Sequence, residues 1–402
     1  MTFAREAAAL APDLITLRRA LHRDPEIGLA LPRTRQRVLD ALAGLPAEIT
    51  TSDANGSVVA VITGTAPARQ RHAVFLRGDM DALPVREETG LDYTASGDAM
   101  HACGHDLHTA MLAGAARLLA ARRDELAGDV VLLFQPGEEG YEGAAAMIEA
   151  GALEASPAPA VAAYALHVTS ARFGHGAFAT RPGPLMAASD ILRVTVRGRG
   201  GHASAPHEAL DPIPVAAEMV TALQTIVTRA IDTFEPVVIT VGMFRGGIRE
   251  NVISDDAEFS AAVRTFGAAT RSVLIARVTA LCEGIAAAHG LAAEVTWEQL
   301  YPVTVNDPAE AQFLLDTAAA LFGPDAAQVM ATPMTGSEDF SRILQRIPGA
   351  LAFLGATPEG TDPRAADFNH SAHAVFDDDV LPRGAALLAE LARARLAAAA
   401  QG

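Results

Sequence analysis

The order of the predicted helices and strands changes once along this chain, and that change limits the folds that the chain can adopt. Strand-like and helix-like segments alternate up to the breaker 181–184 (Arg-Pro-Gly-Pro), as in an α/β sheet with helices on both faces. From there the order is strand, helix, strand, strand, helix, strand, which is typical of a ferredoxin-like module. Beyond Tyr301 and Pro302 the α/β alternation resumes.

The sequence therefore predicts two domains, which also suits 402 residues, a length at which single cores usually divide. The larger is a discontinuous α/β domain, residues 1–184 and 300–402, and the smaller is an inserted α+β domain, residues 185–299. Before the breaker we predict helices over 3–22 and 108–122 and strands over 57–62, 73–77, 129–134 and 161–168. In the inserted domain we predict strand 191–197, helix 213–230, strands 237–244 and 257–266, helix 272–288 and strand 293–298.

The composition excludes several functions. The net charge is -17, from 31 basic and 48 acidic residues, and this argues against a nucleic acid or an anionic membrane as partner, because both attract basic surfaces. The chain has no lysine, so neither a Schiff-base lysine nor the lysine of a phosphate-binding loop is available. A small-molecule partner is the remaining expectation.

The cysteine count and the hydropathy pattern bear on the compartment. Only Cys103 and Cys282 are present, so no disulfide framework is expected, and a reducing cytoplasm fits. The first residues resemble the start of an amphipathic helix and not a signal peptide. No uncharged apolar stretch of roughly 18 residues occurs, so we expect no membrane span and a cytoplasmic protein.

The densest group of chemically active residues is the stretch 100–108 (Met-His-Ala-Cys-Gly-His-Asp-Leu-His). Cys103 and His105 can point to one side of a turned segment, and a thiolate with an imidazole favours a borderline-soft cation such as zinc. The alternative is a buried cysteine beside polar loop histidines. His101 and His108 are expected to orient neighbouring groups and not to bind metal.

A second candidate group follows the apolar strand at 129–134, where the chain reads Gln135-Pro-Gly-Glu-Glu-Gly140. Strands of open α/β sheets present functional residues at their carboxyl ends. Adjacent carboxylates on extended backbone diverge, so Glu139 could bind metal while Glu138 faces a substrate as general base. The alternative is a pair of surface glutamates.

Three further residues are candidates only in combination. His167 ends an apolar strand, where an unpaired imidazole is costly, although a hydrogen-bonded core histidine is equally compatible. His370 lies in a loop far downstream. Asp81 could hold a metal-binding histidine through its second ring nitrogen, or could simply cap a turn. Asp79 has no clear role at this stage.

Taken together, these residues resemble the M20 metallopeptidase/amidohydrolase family. Within it they are most similar to the bacterial and plant branch that includes hippurate hydrolases, N-acyl-amino-acid amidohydrolases (aminoacylases) and auxin-conjugate hydrolases. The matching stretches occur in order at 21–28, 77–84, 100–106, 135–140, 166–168, 200–207, 251–253, 337–340 and 368–370. The chain departs from the family pattern at Gly137, where alanine is usual, and at 29–32, where an acidic stretch is usual.

The resemblance implies two divalent metal ions per subunit, Zn²⁺ or Mn²⁺ with Co²⁺ or Ni²⁺ also possible. It implies metal ligands at Cys103, His105, Glu139, His167 and His370, with Cys103 as the bridging ligand. Glu138 would be the general base. His202 would act across a homodimer interface on the oxyanion, and Asn251 and Arg264 would bind the substrate carboxylate. From the residues alone, His202 could equally be a solvated loop histidine and Arg264 a member of a surface ion pair.

The fold and function that the resemblance implies are a zinc-peptidase-like catalytic domain with an inserted ferredoxin-like dimerisation (lid) domain. The expected reaction is metal-dependent hydrolysis of N-acyl amino acids, either hippurate-like or N-acetylated. A metallo-dipeptidase or aminopeptidase of the same family remains an alternative, and so does a non-catalytic binding protein on this scaffold. A zinc deaminase does not, because the required His-x-Glu and Pro-Cys-x-x-Cys pattern is absent.

Overall fold

The structure, a computed structural model, describes residues 3–401. Within this range the chain forms nine α-helices: α1 Phe3–His22, α2 Pro32–Leu42, α3 His105–Ala121, α4 Gly143–Glu149, α5 Pro212–Arg229, α6 Ala268–Ala288, α7 Pro308–Phe322, α8 Ser341–Leu344 and α9 Leu381–Ala399. The same residues form sixteen strands: β1 Glu48–Thr51, β2 Val58–Thr63, β3 Ala73–Asp79, β4 Asp129–Gln135, β5 Ala160–Thr169, β6 Phe178–Thr180, β7 Gly183–Met186, β8 Ala188–Arg197, β9 Gly201–His202, β10 Val237–Gly246, β11 Val252–Ile253, β12 Asp256–Thr265, β13 Ala292–Tyr301, β14 Thr304–Asn306, β15 Ala327–Val329 and β16 Gly349–Gly355.

The chain divides into two compact units. Unit 1 runs to Leu185 and takes in Val305–Thr332 and the chain from Asp339 onward; unit 2 is Met186–Thr304 with the short segment Pro333–Glu338. The short segment belongs to unit 2 because the backbone N–H of Ala187 donates to its carbonyl groups. Sequence reasoning did not anticipate this return of the chain, because the contact depends on a few backbone hydrogen bonds.

Unit 1 is built on a mixed eight-stranded sheet with the order β1-β2-β4-β3-β5-β16-β6-β15. Its four central strands, β4, β3, β5 and β16, are mutually parallel. Every residue of β3, β4 and β16 is buried, which is why these segments read as continuous apolar runs. The parallel arrangement brings the carboxyl ends of the four strands to one edge of the sheet, where α/β proteins place their functional residues.

Three long helices, α1, α3 and α9, pack on one another, and α3 and α9 also pack on β3 and β5. Helix α3 is buried along almost its whole length. Gly114 allows this packing, since a Cβ atom there would lie 2.9 Å from Ala385 of α9 and 3.0 Å from Leu14 of α1. The core of unit 1 is therefore a sheet covered by a tight layer of helices.

Unit 2 contains an antiparallel four-stranded sheet with the order β10-β12-β8-β13. Side chains along β12 alternate between buried and exposed, and the buried side joins α5 and α6 in one apolar core. Asp211 caps α5 by accepting a hydrogen bond from the backbone of Ile213, with Pro212 in the first turn. The strand-helix-strand-strand-helix-strand order predicted from sequence is present, and the α/β fold class is confirmed.

One predicted boundary is wrong in a way that affects function. Helix α3 begins at His105 and not at residue 108, because Gly104 (φ +84°) ends the preceding turn and serves as the N-cap. A side chain at Gly104 would collide with Val168, 2.3 Å from the Cβ position. His105 therefore lies in the first turn of a rigid helix and not in a loop.

None of the helices in the described range combines the length and the low polarity that a bilayer crossing requires.

Candidate metal centre

The structure brings the five predicted metal ligands together at the carboxyl edge of the unit 1 sheet. Their donor atoms form overlapping groups within 4.8 Å of one another: Cys103 with His105 and His167, and Cys103 with Glu139 and His370. The Cys103 Sγ atom lies 3.5 Å from His167 Nε2 and 3.3 Å from His370 Nε2. His370 Nε2 lies 3.2 Å from a carboxylate oxygen of Glu139. Cys103 belongs to both groups, as a bridging ligand would.

His105 provides the test of whether these residues fit a metal. Both of its ring nitrogens are buried, and neither forms a hydrogen bond within residues 3–401. Carboxylate oxygens of Asp81 and Asp79 lie 3.4 and 3.6 Å away, beyond good hydrogen-bond distance. A buried imidazole without partners is costly unless a ligand compensates. A thiol, three imidazoles and a carboxylate are also the donor set that borderline-soft divalent cations prefer, so the residues fit a pair of such ions.

The electrostatics of the cluster favour the metal-binding form of Cys103. Burial and the Glu139 carboxylate raise the pKa of this thiol, but His167 and His105 outweigh them, and the pKa falls to about 6. Hydrogen bonds to Cys103 and Glu139 raise the pKa of His370 to about 10. Without metal, the cluster thus holds a thiolate beside an imidazolium. A cation bound there would take the place of the imidazolium proton, since histidine binds metal in its neutral form and cysteine as the thiolate.

Hydrogen bonds distinguish the candidate ligand histidines from their neighbours. His167 Nδ1 donates to the backbone oxygen of Val168 at 2.8 Å, which leaves Nε2 as the atom facing Cys103. His108, by contrast, uses both nitrogens: Nδ1 donates to Asp79, and Nε2 accepts from the Val168 N–H at 2.7 Å. Burial, despite Asp79, lowers the pKa of His108 to about 4, so the ring is neutral. Both ring nitrogens of His108 are therefore engaged in this arrangement, which agrees with an orienting role.

The orienting role expected for His101 has less support in the structure. It is buried, and burial lowers its pKa to about 3. Neither of its ring nitrogens forms a hydrogen bond within the described range, so no polar contact supports an orienting role.

Asp81 positions the two glutamates. One of its carboxylate oxygens accepts from the backbone N–H of Glu138 at 3.0 Å, and the other accepts from that of Glu139 at 3.1 Å. The expected contact with a ligand histidine is present as well, but only at 3.4 Å from His105 Nδ1. These bonds direct the two glutamate side chains, and Glu138 comes within the same 4.8 Å grouping as Glu139 and His105.

Sequence reasoning missed two buried ion networks beside the cluster. In the first, Arg77 of β3 donates to Asp79, to Asp339 at 2.8 Å and to Gln135 at 2.8 Å. The signal for this network in the sequence is an arginine inside an apolar strand, together with two acidic residues in the Ser-Glu-Asp-Phe stretch at 337–340. Asp339 also accepts from the backbone N–H of Ala144 in α4 at 2.9 Å.

The second network centres on Asp106, the residue after His105. Its Oδ2 atom lies 2.8 Å from Arg18 Nε and 2.8 Å from His22 Nδ1, both on α1. Burial raises the pKa of Asp106, but Arg18 and His22 outweigh this effect and hold the pKa well below its usual range. The stretch 21–28 is one of the segments that match the family pattern. It supplies His22, which helps to bind α1 to the start of α3.

The remaining predicted site residues lie in unit 2. His202 is exposed on β9, and its Nδ1 accepts from the Ser204 backbone N–H at 3.1 Å. Asn251 directly precedes β11, whose Val252 pairs with His202, so Asn251 and His202 are neighbours at one end of a small two-stranded sheet. Arg264 lies on the open face of the sheet and donates to the Ser189 hydroxyl. Burial lowers its pKa, and no carboxylate forms an ion pair with it in the part of the chain that the structure describes.

Comparison with known proteins identifies the family. Residues 75–394 match the model of peptidase family M20/M25/M40. The chain belongs to this family. It is 37% identical over 384 residues to thermostable carboxypeptidase 1 of Saccharolobus solfataricus, covering 94% of each chain. It is also 37% identical over 377 residues to the N-acetyl-L-cysteine deacetylase of Bacillus subtilis, covering 93% of this chain and 86% of that protein.

A solved structure agrees in fold. A dinuclear metal-binding peptidase of family M20 from Bacillus subtilis superposes with a TM-score of 0.82 at 30% identity, covering 97% of this chain and 99% of the other. Family membership and the candidate ligand groups agree, and the protein is a metal-dependent amidohydrolase. The resemblance drawn from the sequence is confirmed.

The two buried cysteines provide a test of the centre. We expect Cys103→Ala to bind at least one metal ion more than about 100-fold more weakly, because a ligand common to both groups is lost and even groups that only orient ligands contribute about 10–100-fold. Metal content is measured by mass spectrometry after gel filtration. The matched control is Cys282→Ala, since Cys282 lies in the core of unit 2, where burial raises its pKa to about 12. Wild-type metal content in Cys103→Ala would contradict the assignment.

Proposed function

We propose that this amidohydrolase removes the acyl group from N-acyl amino acids, such as N-acetyl or hippurate-like substrates, and releases a carboxylic acid and a free amino acid. The observation that carries the proposal is the placement of Glu138. It is buried beside Glu139 and His105, and Asp81 holds its backbone. A carboxylate in that position suits a general base at a hydrolytic metal centre.

In this proposal Cys103, His105, Glu139, His167 and His370 hold two divalent ions, zinc or manganese, although cobalt and nickel tolerate the same donors. Ions of this kind polarise an amide carbonyl and lower the pKa of water. Glu138 takes the proton of the attacking water and returns it to the leaving nitrogen. Asp81 keeps Glu138 at a constant distance from the ligands, because it bonds the backbone of both glutamates.

Arg264 supports an amino acid as the leaving group. A guanidinium without a carboxylate partner in the described chain is available to bind one from a substrate. The alternative, a surface ion pair, is not formed among the described residues, because the nearby carboxylate of Asp190 is paired with Arg271. Asn251 remains a candidate for the same carboxylate through its side-chain amide.

A peptidase of the carboxypeptidase or dipeptidase type is the second candidate, because one of the relatives at 37% identity is named as a carboxypeptidase. Both reactions break an amide bond whose leaving group is an amino acid with a free carboxylate. They differ only on the acyl side, so a substrate panel distinguishes them: N-acetyl amino acids, N-benzoyl amino acids, free dipeptides and N-acylated dipeptides, each assayed with zinc, manganese, cobalt and nickel.

The general base is tested by Glu138→Gln. We expect kcat to fall by about 10²–10⁴-fold, because a neutral amide cannot accept the proton of water. Metal content should stay at the wild-type level. Glu310→Gln is the control, since Glu310 is similarly buried in α7 and bonds Tyr164 and Arg395. The assignment fails if Glu138→Gln turns over substrate like Glu310→Gln.

The role of Arg264 is tested with substrates whose carboxylate is free or blocked as a methyl amide. We expect Arg264→Met to lower kcat/KM for the free acids by about 10–100-fold, the value of a charge-assisted hydrogen bond of about 1.5–3 kcal/mol. The substitution should leave kcat/KM for the blocked substrates unchanged. We expect those substrates to be poor for both the wild-type protein and the variant. Arg193→Met, on the same sheet face but paired with Glu298, is the control. Equal loss on free and blocked substrates would exclude carboxylate recognition.

We further propose a homodimer in which His202 completes the partner subunit's site. Strand β10 is an edge strand of the unit 2 sheet and exposes apolar side chains at Val238, Met243 and Phe244. An exposed apolar edge is a template for pairing with a second copy. His202 itself is exposed, with Nε2 pointing away from its hydrogen bond to Ser204.

A mixing experiment tests this arrangement. Glu138→Gln chains and His202→Ala chains should each be inactive as homodimers. Random heterodimers of the two contain one intact site, so the mixture should recover up to about a quarter of wild-type activity. The two variants carry different affinity tags, and co-purification through both tags in sequence confirms subunit exchange. No recovery despite exchange means that His202 acts, if at all, within its own chain.

A further inference from the structure

The segment Phe368–His370 reaches the ligand cluster in an unfavourable backbone conformation. His370 has φ +75°, a left-handed conformation that non-glycine residues seldom adopt. Its backbone N–H donates to the carbonyl oxygen of Ala102 at 2.8 Å. The ring of Phe368 lies under the guanidinium of Arg172, with 4.0 Å between them. A conformation of this kind persists only where neighbouring groups hold it.

Asn369 provides most of that support. Its Nδ2 atom donates to the backbone oxygens of Cys103 at 3.2 Å and Val168 at 3.0 Å. The same Nδ2 lies 3.8 Å from Cys103 Sγ, within reach of an N–H···S contact. Its Oδ1 atom accepts from the Ser170 backbone N–H at 3.0 Å and from the Ser170 hydroxyl at 3.2 Å. These partners allow only one orientation of the amide, because backbone oxygens only accept and a backbone N–H only donates.

The partners of Asn369 are the immediate neighbours of three proposed ligands. Cys103 is bonded directly. Val168 follows His167, and its carbonyl oxygen accepts from both His167 Nδ1 and Asn369 Nδ2. His370 follows Asn369 in the chain. One side-chain amide thus joins three separate segments, the turn before α3, the end of β5 and the loop that carries His370.

We propose that Asn369 is a positioning residue for the metal centre, which holds Cys103, His167 and His370 at the spacing that the two ions require. It acts through the ligands and does not touch the reacting atoms. This inference rests on the metal ligands given under the proposed function. Groups that orient metal ligands in this way commonly contribute 10–100-fold to metal affinity.

Asn306 offers a matched control, because it makes the same kind of network elsewhere in unit 1. Its Nδ2 donates to Thr180 Oγ1 at 2.9 Å and to the backbone oxygens of Arg181 and Leu351 at 3.0 and 3.1 Å. Its Oδ1 accepts from the Leu351 N–H at 2.8 Å. It joins β6 to β16 and bonds none of the proposed ligands.

The experiment compares Asn369→Asp with Asn306→Asp. Each change keeps the shape of the side chain, removes both N–H donors and turns an anionic oxygen toward carbonyl oxygens. Zinc is titrated into the metal-free proteins in competition with a chelating dye, and the thermal midpoint of each metal-free protein is measured. We expect Asn369→Asp to bind one of the two ions about 10–100-fold more weakly. Asn306→Asp should keep both affinities within about twofold even though its thermal midpoint falls, since distant sites act independently.

The cobalt-loaded proteins give a second measurement that a loss of general stability does not change. A thiolate bound to Co²⁺ produces a sulfur-to-metal charge-transfer band, which reports on Cys103 itself. We expect that band to weaken or shift in Asn369→Asp and to be unchanged in Asn306→Asp.

The possible outcomes distinguish the proposed role of Asn369 from the proposed metal centre on which it rests. A wild-type protein that binds no ion refutes the metal centre, whereas wild-type protein with two ions and an Asn369→Asp variant with unaltered affinities refutes only the role of Asn369. If Asn369→Asp does not fold, Ser170→Ala takes its place, because it removes one bond to Asn369 Oδ1. A smaller loss of affinity in the same direction is expected there, and an unaltered affinity would overturn the proposal.

Discussion

The guanidinium of Arg77 lies buried on a central strand of the larger sheet, and the geometry of the metal-binding edge depends on how its charge is neutralised. Asp79 and Asp339 supply the two carboxylates, and Gln135 bonds both Arg77 and Asp339. A buried ion pair is costly to break, because removing one partner leaves an uncompensated charge. The network therefore holds β3, β4 and the segment after residue 338 in one arrangement. From Asp79 it continues through His108 to the backbone of Val168 in β5.

Two histidines at the candidate metal-binding edge differ in the number of hydrogen bonds that their ring nitrogens form. His108 uses both ring nitrogens, whereas His105, three residues earlier, uses neither within the described chain. The polar side chains around the cluster form hydrogen bonds with one another. The candidate ligands within it direct their donor atoms toward one another. This contrast explains why a site for cations can be rigid before any cation binds, since its supports do not depend on the ion.

Much of the fold was predictable because it follows from local periodicity. Helix α1 and the order of the unit 2 elements could be read from the pattern of apolar residues, and β3, β4 and β5 from continuous apolar runs. The start of α3 could not be predicted in this way, because it depends on the left-handed backbone of Gly104 and on its close approach to Val168, which no local pattern records. The Arg77–Asp339 contact spans 262 residues, and the bond between His22 and Asp106 spans 84. Charged residues in apolar segments signalled that partners exist, but not which ones.

The sequence by itself determined the types of donor available, their order along the chain and the family to which they belong, because motifs and periodicity are local properties. It also restricted the candidates to a few histidines, one cysteine beside them and a pair of glutamates. Only the tertiary structure decided which histidine has its nitrogens free for an ion and which is engaged by a carboxylate. It likewise placed the side-chain amide of Asn369 between Cys103, Val168 and Ser170. The reason is physical: whether a buried nitrogen or oxygen is available for binding depends on the hydrogen bonds it already makes, and those partners come from distant parts of the chain.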